Sequence, residues 1–313
     1  MSSESKLSRG ILYRSSFFQR TIIEIKKKIF RRITRDAIPM FFRVKDVISI
    51  SPVLRGTYEP QMDVLFGTLC GMGWNEFLLD IGANIGLTVN QNGSRFGVIF
   101  AYEPNPTAFA VLTANCQHID KSRLRLFQFG IGTRDEVMEM CIPKDNLGGG
   151  YIPGKGNNYD EQTIAAKDSY SLKAGSSDCD GTDYYPVTVQ LKCGSVLFSE
   201  IFKTLLETGK RSGVIKIDVE GYEMTILREL AACQRNGIEF VAVFENWNRA
   251  LAKQDVLDTF AGLGFLYKLE WNMEGKSTLN RLWRMATQGE RFAFTDDCRS
   301  LAGTVIYSTK PLI

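Results

Sequence analysis

A chain of 313 residues with 44% hydrophobic and 23% charged residues can bury a sizeable core, which excludes a disordered or fibrous protein. The net charge is only +3, but residues 1–35 carry ten Lys/Arg against two acids, a net +8 that leaves −5 for the rest. A basic arm on an acidic body suits an anionic partner for the arm alone.

The seven cysteines include no CxxC pair, so neither a zinc cluster nor a disulfide framework is legible, and a reducing compartment is the simpler expectation. No uncharged apolar run approaches the ~18–20 residues of a membrane span. The N-terminus lacks the ~7–15-residue apolar stretch of a signal peptide. A cytoplasmic protein is expected.

In chain order, Phe18, Ile22, Ile25, Ile29 and Ile33 recur at helical spacing, with Arg20, Glu24, Lys27 and Arg31 on the other side. The spacing predicts a basic amphipathic helix. It fits an anionic membrane surface, an RNA, or simple packing on the body. Residues 36–75 read as a lead-in rich in Pro and Gly, so residues 1–54 form an arm with its lead-in and 55–313 a single domain.

From Phe77 onward, short apolar strands alternate with helices. Strands are predicted at Phe77–Ile81, Val98–Tyr102, Leu124–Phe129, Val214–Val219, Phe240–Glu245, Phe265–Glu270 and Thr304–Ser308. Helices are predicted around Leu87–Arg95, Thr107–Cys116, Glu223–Cys233 and Lys253–Leu263. This alternation implies a mainly parallel, doubly wound α/β sheet. Residues 143–186, with three consecutive glycines and a polar run, break the rhythm and read as a long insertion loop or lid.

Four stretches carry candidate chemistry. Leu78-Leu79-Asp80-Ile81-Gly82-Ala83-Asn84-Ile85-Gly86 is a strand running into a Gly-containing turn, where a ligand can approach the backbone. It does not match the GxGxxG of a dinucleotide site, and alone it serves equally as a tight turn. Glu103, 23 residues beyond Asp80, ends the next strand ahead of Pro104, Asn105 and Pro106. Such an acid accepts ribose hydroxyls in nucleotide-binding α/β folds, or merely faces solvent.

Asp218 and Glu220 lie at the carboxyl end of a later strand, where ligands of open α/β sheets bind, or where they cap a helix. Glu245 and Asn246 end the strand after that. With Asp218 they could hold a divalent cation such as magnesium, or only shape the pocket. The sole histidine, His118, falls on the opposite edge, so the carboxylates Asp218, Glu220 and Glu245 are the available general bases.

The succession LDIGANIG, EPNP and IKIDVEGYE resembles the FkbM family of S-adenosylmethionine-dependent methyltransferases over about residues 55–250. Tyr58-Glu59-Pro60 is similar to the segment that leads into that family's domain. The resemblance implies a class I methyltransferase sheet of seven strands, Rossmann-like, with the last pair reversed. It implies methyl transfer to oxygen, on a small molecule or on the sugar of a glycan, glycolipid or natural product.

By the same resemblance, Asp80, Gly82, Ala83, Asn84 and Gly86 border the methionine part of the cofactor. Glu103 binds the ribose beside Pro104 and Asn105, and Glu59 completes the cofactor site. Two stretches depart from the family pattern: the long 143–186 segment, and Val189–Cys193 where Thr-Leu-Asp is expected. An RNA methyltransferase and a non-enzymatic binding module are the rival readings. Neither an Asn/Asp-Pro-Pro-aromatic motif nor basic residues beyond the arm favour nucleic acid.

Overall fold

The computed structural model describes residues 17–35, 40–41, 48–49, 52–53, 56–144, 146–154, 156–159, 184–234, 237–246, 251–271, 292–296, 298 and 301–312. The predicted basic helix is present as α1 (Phe17–Ile33). The remainder of the 1–35 arm, residues 1–16, lies outside the described residues, as do 160–183 of the insertion.

The helices that follow are α2 (Pro60–Gly71), α3 (Leu87–Asn92), α4 (Pro106–Asn115), α5 (Gly194–Glu207), α6 (Glu223–Ala231) and α7 (Lys253–Thr259). The strands are β1 (Phe77–Ile81), β2 (Val98–Tyr102), β3 (Leu124–Phe127), β4 (Gly130–Gly132), β5 (Glu136–Pro143), β6 (Tyr184–Cys193), β7 (Ser212–Ile217), β8 (Glu239–Asn246), β9 (Phe265–Trp271), β10 (Phe292–Thr295) and β11 (Gly303–Ser308). The seven predicted strands are all present, and β1 and β2 have the predicted bounds.

The main sheet runs β3-β2-β1-β7-β8-β11-β9-β10. Strands β3, β2, β1, β7 and β8 are mutually parallel, and β11 inserts antiparallel between β8 and β9. The first seven are the expected strands. Strand β10, antiparallel to β9, adds an eighth at the edge.

Both faces are buried, so the central strands are continuously apolar rather than alternating. Phe77, Leu79 and Ile81 point to one side, where Phe198, Phe202 and Leu205 of α5, Ile226, Leu227 and Leu230 of α6 and Val256 of α7 cover them. Leu78 and Val214 point to the other side, under Leu65, Phe66 and Leu69 of α2 and Leu112 of α4. At ~25 cal/mol per Å² of apolar area buried, these two layers supply the main drive for folding.

Part of 143–186 is ordered structure rather than loop. A second sheet, β4-β6-β5, takes in both of its ends: β5 reaches Pro143 and β6 begins at Tyr184. Between them, residues 147–149 form a short 3-10 turn, and Tyr151 bridges back to Cys141. The departure at Val189–Cys193 is the end of β6, whose Leu191 pairs with Gly130 of β4 and Glu136 of β5.

Candidate active site

The two-residue period of a strand decides what meets at the carboxyl edge of the sheet. Asp80 of β1 is in register with Lys216 of β7 on one side and Ala101 of β2 on the other. Lys216 is in register with Val243 of β8. Two residues further along each strand direction lie Asp218, Glu103 and Glu245. Asp80, Glu103, Lys216, Asp218 and Glu245 therefore share one face, the face covered by α2. Glu59 at the N-cap of α2 closes over them in a left-handed conformation (φ 42°).

Lys216 is the cation among these acids. Its Nζ lies 2.9 Å from Asp218 Oδ2 and 3.8 Å from Asp80 Oδ1. Burial opposes the ammonium, but Asp218, Asp80 and Glu59 outweigh it and hold its pKa above the usual lysine range. Asp80 is fully buried and neither oxygen has a hydrogen-bond partner. Burial pushes its pKa up to about 6 against the pull of Lys216. Burial likewise raises Glu59 to about 8, Lys216 opposing and Asp218, Glu245 and Asp80 adding to the rise. Tyr58 beside it is also raised, by burial first.

Glu103 is held by the chain itself. Its Oε2 accepts the Asn84 backbone N–H and its Oε1 that of Asn105, each at 2.8 Å. Burial still raises it to about 7, because desolvation outweighs those two hydrogen bonds. The carboxylate thus ties the turn after β1 to the turn after β2.

A cleft of about 290 Å³ opens above this edge, close to the lower end of the ~300–1,000 Å³ typical of ligand sites. It is lined by Glu59, Gly82, Asn84, Glu103, Pro104, Asp218, Glu220 and Glu245 among the residues expected from the sequence. Gly82 (φ 84°) brings the β1 turn against the β7 turn so closely that a Cβ there would lie 1.9 Å from the Asp218 carbonyl oxygen. Ala83 lies at the base of an adjoining recess with Lys216.

Three expected residues do other work. Gly86 sits behind the turn against Leu112 of α4 and Cys116 just beyond its end. Asn105 is buried, and its Oδ1 accepts the Thr107 N–H as the N-cap of α4. Asn246 follows Glu245 by one residue and so points to the opposite face. There it is buried, donating from Nδ2 to the Leu251 carbonyl at 2.8 Å and accepting the Leu251 N–H at 2.9 Å. The cation site expected from Asp218, Glu245 and Asn246 is therefore not assembled. His118 is exposed, as expected of a surface residue.

The sequence reading missed the far wall. Asn146, Leu147, Gly148, Gly150 and Ile152 line the cleft together with Met140, Leu191 and Tyr222. This strap is pinned to the turn after β7: Asn157 Nδ2 donates to the Ile152 and Glu220 carbonyls, each at 3.0 Å, and the Asn158 N–H to the Gly221 carbonyl at 2.7 Å. The glycine run was the available signal. A Cβ at Gly148 would lie 2.4 Å from Asn84 Nδ2 and 2.1 Å from Ile48, so only glycine lets the strap approach so closely.

Five parallel strands, an antiparallel strand inserted before the last of seven, and an acid ending the second strand define a class I methyltransferase domain. Residues 80–267, more than half of the chain, match the methyltransferase FkbM domain family, and the chain belongs to that family. Its domain is accordingly that of an S-adenosylmethionine-dependent methyltransferase.

Methyltransferase 1 of Beauveria bassiana (strain ARSEF 2860) is 25% identical over 158 residues, which cover 50% of this chain and 59% of that protein. The match thus spans less than two thirds of that relative. Among solved structures, the O-methyltransferase from Bacillus cereus in complex with SAH has a TM-score of 0.39 at 10% identity, covering 92% of this chain and 100% of the other. Human methyltransferase 10 domain containing protein has a TM-score of 0.40 at 8% identity, covering 93% and 97%. Both likenesses are loose, and the strand order stands without them.

The residues present fit the cofactor that this family implies. S-adenosylmethionine carries an ammonium and a sulfonium beside one carboxylate, and Glu59 lines the cleft as an acid that a cation would pair with. Asn84 lines the cleft, and its buried Oδ1 has no hydrogen-bond partner, which suits it to a donor brought by a ligand. Glu103 lines the cleft and suits a pair of ribose hydroxyls.

Proposed function

We propose that the protein transfers a methyl group to a hydroxyl of a small or glycan acceptor, the best fit being a sugar hydroxyl. The observation that carries this reading is the convergence of Asp218, Glu220 and Glu245 on one cleft that Glu59, Asn84 and Glu103 also line. A hydroxyl must lose its proton as it is methylated, and carboxylates are the groups this cleft offers for the task. A polyhydroxy acceptor also suits a wall of acceptor oxygens, with Tyr222, Met140 and Leu191 available for its apolar face.

When bound, S-adenosylmethionine supplies an electrophilic methyl group on its sulfonium. Glu103 and Asn84 would hold and orient the ligand, with Asp80 buried behind the turn they share. Lys216 fixes the Asp218 carboxylate through its Oδ2. Asp218, whose side chain is 28% exposed, then takes the acceptor proton. The strap at 146–152 forms one wall of the cleft, and fixing both partners in one geometry would supply much of the rate.

The acidic lining also weighs against an RNA acceptor, because a phosphate backbone gains its affinity from basic surfaces. The test is transfer of labelled methyl from S-adenosylmethionine into a panel of sugars, glycolipids, small phenols and RNA. Incorporation into sugar hydroxyls, with Asp218→Asn lowering turnover ~100-fold or more at little changed cofactor affinity, supports the reading. Incorporation into RNA alone, or full turnover in Asp218→Asn, Glu220→Gln and Glu245→Gln, overturns it.

A further inference from the structure

The basic helix α1 plays no part in the cleft, and its composition poses a separate question. A helix advances 100° per residue, so Ile22, Ile25 and Ile29 fall within one quarter of its circumference. Lys27 and Arg31 fall on the opposite side and Lys28 beside them, while Lys26 and Arg32 flank the apolar stripe. Of the stripe, Ile22, Ile25 and Ile29 are 37%, 52% and 55% exposed, so the catalytic body does not cover them. An exposed run of large aliphatic side chains on one helix face marks a contact surface.

The charge identifies the partner. Only Glu24 among the residues of α1 is acidic, and it is paired with Lys27 at 2.8 Å. A second copy of the helix would bring six basic residues against six. An RNA would use the basic side and leave the isoleucines in water. An anionic lipid surface satisfies both sides at once, with the isoleucines below the headgroups and the flanking Lys26 and Arg32 snorkelling to them. No described helix is long and apolar enough to cross a membrane, so the attachment is in the plane of the interface.

We infer that α1 is an in-plane anchor that holds the methyltransferase domain reversibly on a membrane surface rich in anionic lipid. Each basic residue near such a surface strengthens partitioning about fivefold. Salt screens this within about 8 Å at physiological ionic strength. Attachment is therefore strong only where charge and apolar face act together.

The experiment is sedimentation of the full chain with vesicles of equal parts phosphatidylglycerol and phosphatidylcholine, and with phosphatidylcholine alone. Binding is expected to the first and not the second, with release at ~1 M salt. The Lys26→Gln, Lys27→Gln, Lys28→Gln triple variant should bind about 100-fold more weakly, and the Ile25→Asp, Ile29→Asp variant at least about tenfold more weakly. Both variants should keep the wild-type affinity for S-adenosylmethionine and the wild-type Tm.

Two results would overturn the inference. One is vesicle binding that survives the Ile25→Asp, Ile29→Asp change and is displaced by an RNA oligonucleotide, which would make α1 a polyanion site. The other is a Tm lowered by several degrees in that variant with no vesicle binding by the parent chain, which would place the isoleucines against the body.

Discussion

Binding of S-adenosylmethionine should expel protons, because the cleft holds carboxylates that stay protonated near neutral pH until a cation arrives. Glu59, pushed up to about 8 by burial and by the neighbouring Asp218, Glu245 and Asp80, is largely protonated at pH 7. Glu103, at about 7, is about half protonated. A ligand bringing an ammonium and a sulfonium beside the first, and hydroxyl donors to the second, favours the ionised form of each. Protons are therefore released on binding at pH 7, and affinity should rise with pH between 6 and 7.5.

Calorimetry at pH 7 in two buffers of different ionisation enthalpy reads the release directly. Glu59→Gln should remove most of it and flatten the pH dependence. Equal heats in both buffers, with affinity constant from pH 6 to 8, would refute the electrostatic account of the cleft.

The same shifts fix the pH dependence of the cofactor-free protein. Asp80 and Glu103 keep their protons to about 6 and about 7, against ~4 in an unfolded chain, so the folded state binds more protons in that window. The stability they confer is complete below ~4 and is lost as pH rises through 6 and 7. Tm should therefore fall between pH 5 and 8, and Glu103→Gln should reduce the fall. Asn105→Ala should cost about 1 kcal/mol of stability as a lost helix cap and leave cofactor affinity nearly unchanged, as denaturant melts and titration would show. Asn246→Ala should destabilise by ~1–3 kcal/mol, because it leaves the buried Leu251 N–H and carbonyl unpaired. A variant that lost activity with stability intact would return Asn246 to the cleft.

The parts of the fold legible in the sequence were those where one element follows the next along the chain. Buried parallel strands such as Phe77–Ile81 are uninterrupted apolar runs between turns, and they are found where expected. Strands β5 and β6 were missed because more than forty residues separate their paired ends and β5 alternates exposure on a half-buried sheet. Helix α2 was hidden in a segment judged by its prolines, although Pro60 stands at a helix start, where proline is tolerated.

The site divides in the same way. Glu103 and Asp218 were recognisable as cleft-lining residues because each follows a strand at the carboxyl edge. Lys216 was quoted without a role, since a lysine inside an apolar strand acquires meaning only through its register with Asp80. Asn246 was misplaced for want of that same register, its side chain being one residue out of phase with Glu245. The strap at 146–152 depends on contacts with Asn84 and Glu220 that no local pattern announces.

The measurement that tests the central claim most directly is titration of S-adenosylmethionine, and separately of NADH, into the wild-type chain and the Glu103→Ala variant. The account predicts a Kd in the micromolar range for S-adenosylmethionine, about −8 kcal/mol, and no NADH binding. Loss of the Glu103 carboxylate should weaken the cofactor by ~1–3 kcal/mol. Tight NADH binding without a response to S-adenosylmethionine, or wild-type affinity in Glu103→Ala, would contradict it.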